Sequence, residues 1–218
     1  MRTSAENNGF VPDNYIVLSN EVLAPIYGPL AETVLSRISL APTASHFVDL
    51  GGGSGLWLDA FFSRGLKMGS LVDHEWEMTS YAAHKFGQRL SADRWNFLVG
   101  DAQAIPFKAD CVDLVVSRNS MHLWQDLEQC WQEIGRILRS GGYAFLGRGY
   151  GPDLTSEDRQ RVKKDRKALR DPNDPPCVEP PSPPAELVSG IARKVGFDMI
   201  DIIRDDKSYW ILARKILL

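Results

Sequence analysis

The sequence predicts an α/β protein built on one mostly parallel sheet with helices on both faces. Three observations carry this. From residue 46 onward, short β-branched runs alternate with amphipathic helical patterns, as parallel strands joined by crossover helices require. The run Phe47-Val48-Asp49-Leu50 passes straight into Gly51-Gly52-Gly53-Ser54-Gly55 and then into a helix-like Leu56-Trp57. A strand, glycine loop and helix N-terminus in that order belong at the carboxyl edge of a doubly wound sheet, where ligands bind. Finally, Phe197–Ile203 and Ser208–Lys215 flank Asp205-Asp206-Lys207 and read as an antiparallel hairpin.

The elements follow in order. Residues 1–9 read as a loosely attached arm. Residues 10–40 hold two short helical patterns, one starting at Asn20 and one opened by Pro29, with Tyr15 and Tyr27 just outside them. The first strand, 46–50, is followed by a helix from Ser54 or Gly55 to about Arg64, which Gly65 ends. Met68–Val72 is the second strand, closed by Asp73 and followed by a helix from Trp76 to about Leu90. Trp95–Val99 is the third strand and leads into Gly100-Asp101. Cys111–Ser117 is a Val-rich fourth strand of the fully buried kind. Leu127–Leu138 is an amphipathic helix with Cys130, Trp131, Ile134, Ile137 and Leu138 inward. Ser140-Gly141-Gly142 reads as its C-terminal turn, and Tyr143 opens strand five.

The rhythm then breaks. Thr155 and Asp158 form a capping-box-like start to a charged helix, Glu157–Leu169. Residues 171–184 hold seven of the 13 prolines and cannot be regular structure. A helix near 184–195 precedes the hairpin. The expected organisation is one domain: an arm and lid helices over 1–40, and a core over 41–218 carrying an insertion at 148–184.

Composition sets limits. The chain has 218 residues, 44% of them hydrophobic and 24% charged, which suits one substantial globular core. Its formal net charge of −3 gives no basic excess to attract nucleic acid. Residues 156–171 are locally basic, but without interleaved aromatics they read as a solvated helix face. No apolar run is long enough to span a membrane, and the polar start, Met1 to Asn8, has no signal core. Cys111, Cys130 and Cys177 are few and scattered, so neither a disulfide framework nor a metal site is expected, and a cytoplasmic setting is. Oligomeric state is not legible.

The glycine loop excludes two common templates. Starting G-x-G-x-x-G at Gly51 or Gly53 places Leu56 or Leu58 at the third glycine, and no G-K-[ST] follows. What remains is an acid, Asp49, two residues before alternate glycines. A nucleoside ligand needs a carboxylate for its ribose hydroxyls at the end of strand two, and Asp73 stands there, with His74 beside it. Asp101, after Gly100, can accept from an adenine amino group while the Ala102 amide donates to a ring nitrogen. Equally, Asp101 is placed to cap its own turn.

These residues together resemble the class I S-adenosylmethionine (SAM)-dependent methyltransferases. Val48-Asp49-Leu50-Gly51-Gly52-Gly53-Ser54-Gly55 resembles their motif I, and Asp73 matches the ribose acid. Gly100-Asp101-Ala102 with Ile105-Pro106-Phe107 is similar to the adenine-site segment. Asp113–Asn119 resembles the strand-four motif, and Glu133-Ile134 with Arg136–Gly142 is similar to an "E-x-x-R-V-L-K-P-G-G" signature. The match runs from about 47 to 147 and is nearest the small-molecule, ubiquinone/menaquinone-biosynthesis type. It implies a Rossmann-like sheet of seven strands ordered 3-2-1-4-5-7-6, with strand seven antiparallel. Ser140 replaces the signature proline, and Gly52 a more usual Cys, Ala or Thr. Arg118-Asn119-Ser120-Met121-His122 is not the N-P-P-[YF] motif of nucleic-acid-base enzymes.

The resemblance implies SAM as cofactor, S-adenosylhomocysteine as product and a small-molecule acceptor. Cofactor contacts are expected from Asp49, Gly51, Gly52, Gly53, Gly55, Asp73, His74, Gly100, Asp101, Ala102, Arg118 and Tyr27. Methyl transfer chiefly needs alignment and exclusion of water, with a base only for a protonated nucleophile. The candidate acceptor-side residues are therefore those on the adjoining loops: Asn119, His122, Arg148 and Tyr150. His122 is also placed to be a packed helix-start histidine, and Tyr27 a core ring with a hydrogen-bonded tip. A catalytically silent SAM-binding partner or sensor is the second reading, and an NAD-dependent oxidoreductase the third.

Overall fold

The computed structural model describes residues 12–87, 89, 94–169, 180–205 and 208–216. Seven strands form one sheet in the order β3-β2-β1-β4-β5-β7-β6. They are β1 (His46–Leu50), β2 (Met68–Asp73), β3 (Trp95–Val99), β4 (Val112–Arg118), β5 (Leu138–Gly147), β6 (Phe197–Asp205) and β7 (Ser208–Lys215). β1 through β5 pair in parallel, and β7 runs antiparallel to both β5 and β6. The hairpin is present. Asp206 and Lys207 of its turn lie outside the described residues, as do the arm at 1–9 and most of the proline-rich run.

The helices are α1 (Pro12–Val17), α2 (Ala24–Leu35), α3 (Leu56–Phe62), α4 (Trp76–Gly87), α5 (Leu127–Ile137), α6 (Ser156–Ala168) and α7 (Ala185–Lys194). Strand side chains alternate between two apolar layers, as period-2 geometry demands. Phe47, Leu114, Val116, Phe145, Trp210 and Leu212 join α2 and α3 on one face. Val48, Val115, Ala144, Leu146, Ile211 and Ala213 join α5 and α7 on the other. The first layer is pinned by aromatic rings: Trp57 stacks on Phe61 at 5.1 Å and Phe145 on Trp210 at 4.7 Å. Each such pair contributes about 0.5–1.5 kcal/mol beyond the area it buries.

Two expectations are corrected. Residues 12–35 form one continuous helical run, α1 and α2 joined through a π-helical turn, Leu18–Leu23. Asn20 lies inside that turn and starts no helix. Its amide donates to the Ile16 carbonyl and the Tyr81 hydroxyl, and its Oδ1 accepts from Lys85 Nζ at 2.8 Å, tying the segment to α4. Pro29 stands within α2, whose opening proline is Pro25 at the first turn. Tyr15 and Tyr27 are therefore helical residues whose faces the run fixes.

The second correction concerns Ser140-Gly141-Gly142. α5 ends at Ile137, and its C-cap, Leu138, is already extended and pairs with Val112. The glycines lie within β5, in an irregularity between the Val112–Leu138 and Leu114–Tyr143 pairs, where Gly141 takes φ +79°. They bulge the strand and do not cap the helix. The α6 start is as expected, with the Thr155 hydroxyl accepting from the Asp158 amide at 3.1 Å.

Candidate functional site

The strand order reverses between β1 and β4, the usual ligand position in such sheets. The glycine loop leaves β1 there. The Gly51 and Gly52 amides donate to the Val72 carbonyl at 2.7 and 3.3 Å, and the Gly55 amide to the Gly52 carbonyl at 3.0 Å. Gly53 takes φ +53°, a backbone that disfavours a side chain. A Cβ there would come within 2.9 Å of the Tyr15 ring. The loop thus runs bare against the N-terminal helical run, and the Ser19 hydroxyl bonds to that of Ser54 at 2.7 Å.

Two acids behind the loop differ sharply. Asp73 is 7% exposed and is well supplied: its Oδ2 accepts from the Gly53 amide at 2.8 Å, and its Oδ1 from the Glu75 amide at 3.0 Å. Burial raises its pKa, and those two donors and His74 pull it back. Each oxygen keeps a further lone pair for a ligand hydroxyl. Asp49 is 1% exposed, and neither carboxylate oxygen has a hydrogen-bond partner among the described residues. Burial, and then repulsion from Asp73, hold its carboxyl well above the usual carboxylate range. Among the described residues, the other buried side-chain polar atoms in this position are three indole N–H groups and Asn119 Oδ1. Asp49 is the ionisable one, and its oxygens are an open demand for donors.

A buried cation completes the cluster. Arg118, 5% exposed at the end of β4, donates from Nε to the Gly149 carbonyl at 3.0 Å and from Nη1 to the Tyr27 hydroxyl at 3.5 Å. Its guanidinium lies 5.3 Å from the Tyr27 ring centroid. Burial raises the pKa of both Tyr27 and Tyr15, with Arg118 opposing in each. Tyr15 senses Tyr27, Arg118, Asp73 and Asp49 together. It belongs to this cluster, although no sequence motif of its own marks it.

The remaining candidates take varied positions. Gly100 donates to the Asp73 carbonyl at 2.9 Å, and an added Cβ would meet Pro106 Cδ at 2.9 Å. Asp101 is exposed and accepts from the Gln103 amide at 2.8 Å, capping its own turn through Oδ1 beside half-buried Ala102. His74 is 66% exposed at its side chain and pairs with Glu75 at 3.0 Å. Asn119 takes φ +58°. His122 sits half-buried in the short 3₁₀ turn Met121–Leu123. Arg148 donates to the Pro180 carbonyl at 3.3 Å, and the Tyr150 amide to Asp205 at 3.1 Å. The structure thus brings Asp49, Asp73, Arg118, Tyr27 and the glycine loop into one cluster, and arrays the acceptor-side candidates along the β4 and β5 loops. A groove of about 470 Å³, lined by Glu128, Arg136, Lys194 and Lys215 among others, lies at the opposite edge of the sheet.

The donor set fits SAM. An unmet buried carboxylate suits an ammonium or sulfonium, a buried guanidinium with a phenol suits a carboxylate, and Asp73 has capacity for vicinal hydroxyls. The comparisons agree with the geometry. A methyltransferase domain model matches residues 48–146. The chain is similar over its whole length to a solved structure assigned as an S-adenosyl-L-methionine-dependent methyltransferase from Methanococcus maripaludis, with TM-score 0.77 and 25% identity, covering 100% of this chain and 98% of that one. An uncharacterized methyltransferase of Mycobacterium avium is 29% identical over 134 residues, 56% of this chain and 50% of the relative. A malonyl-[acyl-carrier protein] O-methyltransferase of Nitrosospira multiformis is 32% identical over 77 residues, 35% of this chain and 25% of the relative. Over residues 48–146 the chain is therefore similar to the class I SAM-dependent methyltransferases, and its sheet has their strand order. It spans about half the length of the first curated relatives it matches. Strand order 3-2-1-4-5-7-6 with β7 antiparallel also removes support from the NAD-dependent reading.

Proposed function

We propose that this chain is an enzyme that transfers the methyl group of SAM to a small-molecule acceptor. The orphaned Asp49 carboxylate beneath a bare glycine loop is the observation that carries the reading. When bound, SAM supplies an electrophilic methyl group on a sulfonium. Asp49 and the loop would hold its amino-acid end, with Arg118 and Tyr27 receiving the carboxylate. Asp73 would hold the ribose hydroxyls, with His74 beside it, and Gly100, Asp101 and Ala102 would line the adenine side.

On the acceptor side, Asn119, His122, Arg148 and Tyr150 would orient the nucleophile, and His122 would take its proton where one must leave. The N-terminal run would exclude water as a lid over the loop. We take residues 1–40 as that lid and 41–218 as the methyltransferase domain, in one domain overall, with 148–184 forming the far wall of the cleft. No described helix is long and apolar enough to cross a membrane. We place the enzyme in the cytoplasm, with a small-molecule partner and no nucleic acid. The free thiols of Cys111 and Cys130 and the net charge of −3 support that setting.

Release of S-adenosylhomocysteine from SAM, measured against a panel of small carboxylates, phenols, hydroquinones and amines, tests this. Acceptor-dependent turnover is expected, with His122→Ala and Arg148→Ala lowering it while S-adenosylhomocysteine affinity stays within about 1 kcal/mol. Tight SAM binding without turnover on any acceptor class would favour the silent partner or sensor module.

A further inference from the structure

The loop after β5 and helix α6 form a buried arrangement that the cofactor reading does not use. Asp205, at the end of β6, has a side chain only 7% exposed. Its Oδ2 accepts from the Tyr150 amide at 3.1 Å and from the Gly151 amide at 2.9 Å. Its Oδ1 pairs with Arg159 Nη1 at 2.8 Å. Arg159 in turn donates from Nη2 to the Gly151 carbonyl, and its guanidinium lies 5.8 Å from the Tyr150 ring centroid. Gly151 is therefore gripped at both its N–H and its C=O by one ion pair.

That grip has a target one residue further back. The Gly149 carbonyl accepts from Arg118 Nε, so the loop supplies one anchor of the buried guanidinium and the Tyr27 hydroxyl another. The loop does not hold itself. Gly149 and Gly151 take φ of +97° and +82°, and glycine backbone carries little conformational restraint of its own. An arginine side chain has many rotamers to lose, so its aim depends on fixed acceptors. Within α6, Arg159 stands apart: its side chain is 18% exposed, whereas Arg161, paired to Asp158, is 55% exposed.

We propose that the Arg159–Asp205 ion pair is a positioning device for Arg118, fixing the Gly149-Tyr150-Gly151 loop so that its carbonyl aims the guanidinium into the candidate site. α6 then has a specific task in the molecule: to deliver Arg159 to the loop. Its bearing on cofactor affinity rests on the reading that Arg118 receives the ligand carboxylate, so the test needs one readout that is independent of any ligand.

The full chain, ¹⁵N-labelled, supplies it. The Arg118 Nε–H signal is assigned by its loss in Arg118→Lys, and its hydrogen exchange is followed in Asp205→Asn, Arg159→Lys and the control Arg161→Ala. S-adenosylhomocysteine titrations run in parallel. Exchange is expected to speed about tenfold in Asp205→Asn and less in Arg159→Lys, with affinity falling about five- to tenfold and Arg161→Ala matching wild type. Should Asp205→Asn not fold, Arg159→Lys decides alone, because it keeps the charge and loses the fork. Unchanged Arg118 exchange in a folded variant would overturn the proposal, whatever happens to stability. Wild-type protein that binds no S-adenosylhomocysteine would overturn the cofactor reading instead, and the Arg118 exchange would still decide the positioning role.

Discussion

Two buried carboxylates at the same edge of the sheet are treated in opposite ways. Asp205, between the β5 loop and α6, receives two amides and an arginine. Asp49, beneath the glycine loop, receives no hydrogen bond from the described residues. The first region is a finished piece of structure: removing a partner would leave costly unmet groups. The second is unfinished, and its deficit is what a cationic ligand would make good. The contrast separates acids that hold the fold from acids that the fold holds in readiness.

The largest expected effect lies in the satisfied region. Asp205→Ala strands Arg159 and two loop amides, and should lower unfolding free energy by about 3 kcal/mol in urea titrations. Asp49→Asn should do the reverse. It removes a buried carboxyl whose ionisation the folded state disfavours, so the ligand-free protein gains about 1–2 kcal/mol at neutral pH, each kcal/mol raising Tm by about 2–4 °C. A loss of stability in Asp49→Asn would break the comparison.

The pH dependence sharpens it. Asp49 and Asp73 have pKa values raised in the folded state, Asp49 by burial first and Asp73 repulsion second. The unfolded chain gives up these protons more readily than the folded one. Their contribution is thus fully present below the ordinary carboxylate pKa and is lost as pH rises through the raised values. The stability gap between Asp49→Asn and wild type should widen as pH rises out of the ordinary carboxylate range, and a constant gap would contradict the assignment.

Much of this was legible in residue order. The alternation from residue 46, the run Val48 to Gly55 and the terminal hairpin predict the sheet, and Asp49 and Asp73 fall where strand ends must fall. What was not legible depends on contacts distant in sequence. Pro29 looks like a helix opener, yet Pro25 and a π-helical turn carry the chain past it. Gly141-Gly142 looks like a helix stop, yet the pairing of Leu138 with Val112 makes it a bulge. Tyr15 carries no motif and reaches Gly53 only because the N-terminal run folds back. The Asp205–Arg159 pair joins a hairpin to an insertion, and no spacing rule links them.

The smallest effect expected is at Tyr27. Its hydroxyl accepts a long bond from Arg118, at 3.5 Å, so Tyr27→Phe should change stability by less than about 0.5 kcal/mol. Its S-adenosylhomocysteine affinity should weaken by about 1 kcal/mol, the worth of one ordinary hydrogen bond. A larger loss of stability than of affinity would make Tyr27 a core residue first.

The central claim is that Asp49 is held unpaired for a ligand. Calorimetric titration of S-adenosylhomocysteine into wild type and Asp49→Asn tests it most directly, with thermal unfolding of both proteins as reference. Wild type is expected to bind, and Asp49→Asn to lose about 2–3 kcal/mol, the size of a hydrogen bond to a charged group, in a variant more stable than its parent. Equal affinity in the two proteins, or none in wild type, would contradict it.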